Sequence, residues 1–153
     1  MVAVDGDEKV VDLLYRRLRA TGNEKVLPLV MNLVDPSGGI GWRNRERAPF
    51  VERVRPDATL ALALVHHLTN AANEPPPGVV GCLADFGGRQ VVEFPHRDDV
   101  QVERLLANKP AGLFDDYRRE AFEHLLAERF RVVRQETLPG GTRTLYLVEA
   151  AGA

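Results

Sequence analysis

The run Ala58 to Val65, ATLALALV, is apolar except for Thr59, follows Pro56-Asp57 and stops at His66-His67. It is short for a helix, and a half-buried strand would alternate apolar with polar residues. The run therefore predicts a parallel strand buried on both faces. Such a strand needs helices on both sides of its sheet, which commits the rest of the chain to an α/β plan.

The remaining pattern follows that plan. Val2-Ala3-Val4 is a short β-branched run ended by the turn residues Asp5-Gly6-Asp7. Val11, Leu14, Tyr15 and Leu18 recur at helical spacing, with Asp7 placed to cap the helix and Gly22 to close it. Val26 to Val30 reads as a second strand, and Pro28 assigns it to a sheet edge because proline cannot donate to a ladder. The polar stretch 32–56 is broken by Pro36, Gly38, Gly39, Gly41 and Pro49; a loop this long is functional or holds a short helix, for which Arg47 to Val54 is the candidate. Pro75-Pro76-Pro77 opens a helix carrying Val79, Val80, Leu83 and Phe86, and Gly87-Gly88 ends it. Gln90 to Phe94 is the next strand. Asp98 or Asp99 caps a helix with Val102, Leu105 and Leu106, and another spans about Asp116 to Arg129 with Tyr117, Ala121, Phe122, Leu125 and Leu126 on one stripe. Phe130–Glu136 and Thr142–Glu149 close the chain as a hairpin through Leu138-Pro139-Gly140-Gly141.

The order is β-α-β-loop-β-α-β-α-α-β-β. It predicts an α/β fold: one domain over residues 1–153, with a Rossmann-like, mostly parallel sheet and a C-terminal antiparallel hairpin. A net charge of −2 and a pI near 6.1 exclude a protein that coats a phosphate backbone, so a nucleic-acid partner is disfavoured. The single cysteine, Cys82, excludes an intramolecular disulfide and a Cys-only zinc site; it falls among apolar helix positions and reads as a small core residue. No apolar run approaches the ~20 residues of a membrane span, and the N-terminus has no signal pattern. A cytoplasmic location without a membrane partner is expected.

Ligands of open α/β sheets bind beyond the carboxyl ends of the strands. Asp5 and Asp7, Asn32, His66 and His67, then Glu93, His96 and Arg97 stand at those ends. An acid that closes a strand in a βαβ unit accepts ribose hydroxyls, or else caps the next helix. Asp7 is the better cap and Asp5 the better ribose ligand. His66 and His67 are adjacent, so at a strand end they point in opposite directions and make a poor metal pair; no metal site is expected. A histidine titrating near pH 6.5 suits a general base. Trp42 to Arg55 carries five Arg against two Glu. It is either an anion-binding loop or a solvated helix laced with ion pairs, and Trp42, the sole tryptophan, either packs on the core or covers a ligand.

Taken in order, these segments resemble class I S-adenosylmethionine-dependent methyltransferases of a bacterial branch. Val2-Ala3-Val4-Asp5 is similar to the second strand of that family, and Pro28 to Leu33 to its third strand and the following turn. Asp57 to Leu68 is similar to the fourth strand with its "LHHL" end; Val91 to Phe94 and the terminal hairpin match the fifth to seventh. Glu93 to Asp99 together with Arg104 to Lys109 carries the likeness to the bacterial branch, which includes proteins described near nodulation proteins. The resemblance implies methyl transfer to an unknown acceptor. It places the cofactor's ribose on Asp5 and Gly6 and its adenine by Asn32 and Leu33, although relatives often carry Asp at the Asn32 position. It sets the sulfonium towards Leu64 and His66, with His67 as the base. Trp42, Arg43 and His96 are the substrate-side candidates.

The family's glycine-rich loop and central first strand precede the ribose acid by roughly 20 residues, and Asp5 has only four residues before it. Gly38-Gly39-Ile40-Gly41 is no substitute, because it does not join a strand to a helix. The expectation is therefore a truncated methyltransferase fold lacking the first central strand, with weak or absent cofactor binding by this chain alone. The alternative is a non-catalytic, methyltransferase-like partner subunit that forms a homo-oligomer through its exposed strand edges.

Overall fold

In a computed structural model the chain is described over residues 1–151; residues 152–153, included in the expected domain, lie outside the described residues. The chain divides into two compact units, Met1–Arg53 and Val54 onward.

The first unit pairs β1 (Val2–Asp5) in parallel with β2 (Leu27–Val30), with Ala3 opposite Pro28. Between them runs α1 (Glu8–Ala20), which turns Val11 and Leu18 inward. Asp7 caps it by accepting from the amides of Lys9 and Val10, and Gly22 (φ 62°) follows its end, as the turn chemistry required. The stretch after β2 has little regular structure: a 3-10 turn at Trp42–Asn44, an isolated bridge between Ile40 and Arg47, and the one-turn α2 (Phe50–Arg53). The short helix expected from Arg47 to Val54 is thus confined to its second half, because Pro49 holds the residue before it extended.

The second unit is a four-stranded mixed sheet in the order β3-β4-β6-β5. Parallel pairing joins β3 (Ala58–Ala61) to β4 (Arg89–Pro95); antiparallel pairing joins β4 to β6 (Arg143–Ala150) and β6 to β5 (Phe130–Thr137). The helices are α3 (Pro76–Asp85), α4 (Val100–Leu106) and α5 (Arg119–Arg129). One face of the sheet carries Ala61, Val92, Phe94, Tyr146 and Val148, all at most 2% exposed. There Phe94 stacks on Phe122 of α5 with ring centroids 4.4 Å apart and packs on Tyr117 at 4.8 Å. The Tyr117 hydroxyl donates to the Pro95 carbonyl at 2.8 Å, so this buried polar atom is satisfied. Cys82 is half-buried, and burial pushes its thiol pKa up, which fits a packing role.

Two sequence readings need correction here. The eight-residue run is not one strand buried on both faces. β3 ends at Ala61, Ala63 takes a left-handed φ of 51°, and a helical turn begins at Val65. Leu60 and Leu62 are 65% and 51% exposed. Apolar composition could not reveal a backbone reversal at an alanine. The other correction concerns α5, which starts at Arg119, three residues later than expected from Asp116. Tyr117 is buried from the preceding turn, so its apolar side chain counted in a stripe to which its backbone does not belong.

Gly88 stands at φ 65°, where an added Cβ would lie 2.8 Å from the Pro56 carbonyl oxygen. Gly88→Ala should therefore lose about 2 kcal/mol, the combined cost of a left-handed alanine and a backbone that must shift. A urea midpoint unchanged from the parent would contradict this.

Candidate functional site

The buried histidine and carboxylates of the second unit, His66, Glu93 and Asp99, lie towards and beyond the carboxyl ends of β3 and β4. After β3, Leu62 and Ala63 turn the chain so that the Leu64 carbonyl accepts from the amides of His67 (3.0 Å) and Leu68 (3.1 Å). The turn continues as a π-helical segment, His67–Ala71. Such wide turns are uncommon and recur at functional sites. His66 is 1% exposed and His67 is exposed, their rings 4.3 Å apart. Burial lowers the His66 pKa to about 4; neighbouring His67 and the Arg143 cation act in the same direction, against Asp99 and Glu93. His66 is therefore neutral at pH 7, with its Nδ1 buried and without a hydrogen-bond partner among the described residues.

Beside the pair lies a carboxylate–guanidinium network. Arg143 of β6 bonds Asp99 twice, Nε to Oδ2 at 2.7 Å and Nη2 to Oδ1 at 3.0 Å, and gives Nη1 to Glu93 Oε1 at 3.0 Å. Asp99 also caps α4 by accepting from the Gln101 amide at 2.9 Å. The hydrogen bonds from Arg143 hold the Asp99 pKa down at about 2, against the opposing effect of burial. The other Glu93 oxygen, Oε2, accepts from the Ala63 amide at 2.6 Å. Glu93 and Asp99 are 6% and 5% exposed, so their charges are compensated mainly by Arg143. His96 follows β4, half-buried, with Nε2 2.8 Å from Thr144 Oγ1. Leu64 is half-buried.

In the first unit, Asp5 ends β1 and is exposed. Its Oδ1 accepts from the Asp7 amide at 2.9 Å. The second carboxylate oxygen has no hydrogen-bond partner among the described residues. Gly6 is exposed, and an added Cβ there would meet nothing nearer than the Met31 carbonyl oxygen at 3.9 Å. Asn32 follows β2, exposed, with Oδ1 accepting from the Val34 amide at 3.0 Å; Leu33 beside it is half-buried. Trp42 is 78% exposed and Arg43 is exposed beside it. Trp42 therefore does not pack on the core, one of the two roles the sequence left open. Among the described residues, no cluster of His, Cys, Asp and Glu has metal-holding geometry, and no helix is long and apolar enough to cross a membrane.

Sequence reasoning placed His66, His67 and Asp5 at strand ends but passed over Glu93, Asp99 and Arg143 as a group. One signal was present: a glutamate inside the apolar strand Val91-Val92-Glu93-Phe94 is rarely buried unpaired.

No protein-family model matches the chain. The chain is 37% identical over 148 residues, 97% of its length, to the nodulation protein NoeA of Rhizobium meliloti (strain 1021), and it spans 31% of that relative. Among solved structures, the mitomycin 7-O-methyltransferase MmcR superposes with a TM-score of 0.55 at 16% identity, covering 98% of this chain and 41% of that one. The pyocyanin biosynthetic protein PhzM gives a TM-score of 0.54 at 20% identity, covering 97% and 42%. These likenesses show an α/β fold with mixed sheets, similar to that of a methyltransferase structure.

Proposed function

We propose that this chain carries part of an S-adenosylmethionine-dependent methyl-transfer machinery of bacterial type, acting on an acceptor yet to be identified. The observation that carries the reading is Asp5. It closes a parallel strand, in a chain with a methyltransferase-like fold, and keeps one carboxylate oxygen unengaged. That oxygen suits a ribose diol, which offers two donors to an acceptor-only carboxylate. The open backbone at Gly6 leaves room for close approach. Asn32 and Leu33 are assigned to the adenine, one polar and one apolar contact. When bound, the cofactor would supply a methyl group on a positively charged sulfur.

The remaining roles are assigned residue by residue. Leu64 and His66 are assigned to the apolar surroundings of the sulfonium. His67 is the base that accepts the acceptor's proton, because it is exposed, whereas burial leaves His66 out of reach and a weak base. Trp42, Arg43 and His96 are assigned to acceptor binding. Catalysis of this kind rests mostly on positioning.

The reading includes a glycine-rich loop after a further parallel strand, supplied upstream of this chain. Among the described residues β1 and β3 each pair on one side, and such open edges accept another strand. The chain alone should then bind the cofactor weakly or not at all. Calorimetric titration with S-adenosylhomocysteine, on this chain and on a form extended upstream, tests the proposal. Binding by the extended form alone supports it, and Asp5→Ala in that form should weaken binding roughly tenfold to a hundredfold. Equal binding by both forms would overturn the role given to the glycine loop. Binding by neither would overturn the methyl-transfer reading.

A further inference from the structure

Ala63 occupies a left-handed conformation, φ 51°, that a residue with a Cβ enters only at a cost. It lies between the end of β3 at Ala61 and the helical turn at Val65. The backbone reversal at this residue therefore decides where His66 and His67 fall. Strained residues persist only where their surroundings over-determine them, and here the surroundings are specific. The Ala63 amide donates to Glu93 Oε2 at 2.6 Å. Glu93 stands on the adjacent strand, 6% exposed, with its second oxygen fixed by Arg143 at 3.0 Å. Arg143 is fixed in turn by its two bonds to Asp99. A charge-assisted acceptor of this kind binds its donor more strongly and more directionally than a neutral one.

We propose that Glu93 is a positioning residue: braced by Arg143, its carboxylate clamps the Ala63 amide and holds the left-handed turn that sets the His66–His67 pair at the end of β3. The proposal rests on the methyl-transfer reading for the task of the pair. The clamp itself rests on the geometry within the second unit.

The test uses the full chain with ring-labelled histidine, whose four imidazoles, at 66, 67, 96 and 124, are followed by NMR. In Glu93→Ala the signals of His66 and His67 should shift and broaden, while that of His124, on the exposed side of α5, stays in place. Glycine adopts the left-handed conformation without penalty, so the double variant Glu93→Ala/Ala63→Gly should return both signals towards their parent positions. Asp99→Asn weakens the brace without touching Ala63, and it should lower stability while moving the pair less than Glu93→Ala does. The proposal is overturned if the two signals ignore Glu93→Ala, if Ala63→Gly gives no rescue, or if Asp99→Asn displaces them equally. Should Glu93→Ala fail to fold, recovery of folding in the double variant supports the clamp, and continued failure overturns it. These signals need no cofactor, so they separate the clamp from the function reading. An extended chain that fails to bind S-adenosylhomocysteine removes the methyl-transfer reading alone; unmoved histidine signals remove the clamp alone.

Discussion

Arg143→Ala should cost roughly 3–5 kcal/mol of unfolding free energy, measured by urea titration with far-UV circular dichroism. The size follows from what is left behind. Glu93 and Asp99 are 6% and 5% exposed, and each takes a hydrogen bond from this one guanidinium. Without it, two carboxylates share a poorly solvated site with no cation, and the cost of their burial goes uncompensated. A domain of this size has about 5–15 kcal/mol in all, so the loss is a large fraction of the total. Arg143→Lys should recover only part of it, since an ammonium cannot reproduce a planar fork that reaches two carboxylates at once. A loss below about 1 kcal/mol, the usual value of a surface ion pair, would mean that water already screens the network.

The second large effect is a loss of stability on mild acidification. Burial holds the pKa of His66 in the folded chain at about 4, below the ordinary 6.5. The unfolded chain therefore takes up this proton first as the pH falls. The contribution of neutral His66 is complete above about pH 6.5 and is lost as the pH drops towards 4. At about 1.4 kcal/mol per pH unit, the loss over that window is roughly 3 kcal/mol. Asp99 acts lower on the scale: its folded pKa of about 2 lies below 3.8, so its contribution persists until about pH 3.8 and is lost towards 2. Unfolding free energies measured from pH 7 to 4 should fall steeply in the parent and much less in His66→Leu. Parallel pH profiles for the two proteins would refute the assignment.

What the sequence revealed was local. The cap at Asp7, the edge position of Pro28 and the terminal hairpin depend on neighbours a few residues apart, and each appears where its pattern put it; the helix stripe holds at Val11 and Leu18, whereas Tyr15, counted in it, is 50% exposed. What it hid was conformational or distant. Nothing in ATLALALV marks Ala63 as left-handed, because the cause is a carboxylate 30 residues away. Arg143 and Asp99 are separated by 44 positions and meet only once β6 has inserted between β4 and β5. The two histidines were expected to point apart from a strand end; they instead sit in a helical turn with their rings 4.3 Å apart, one buried and one exposed, an arrangement that depends on that same reversal.

The exposure of Trp42 has a practical consequence for optical work on this chain. The only indole is 78% solvent-accessible in the folded state. Its emission maximum should already lie near that of a fully hydrated tryptophan and should move little on unfolding. Fluorescence is thus a poor gauge of whether the aromatic stack around Phe94 is intact. It is instead a clean reporter for the tip of one loop: any quenching or blue shift on adding a small molecule or a second protein signals an event at that tip, with no background from the interior.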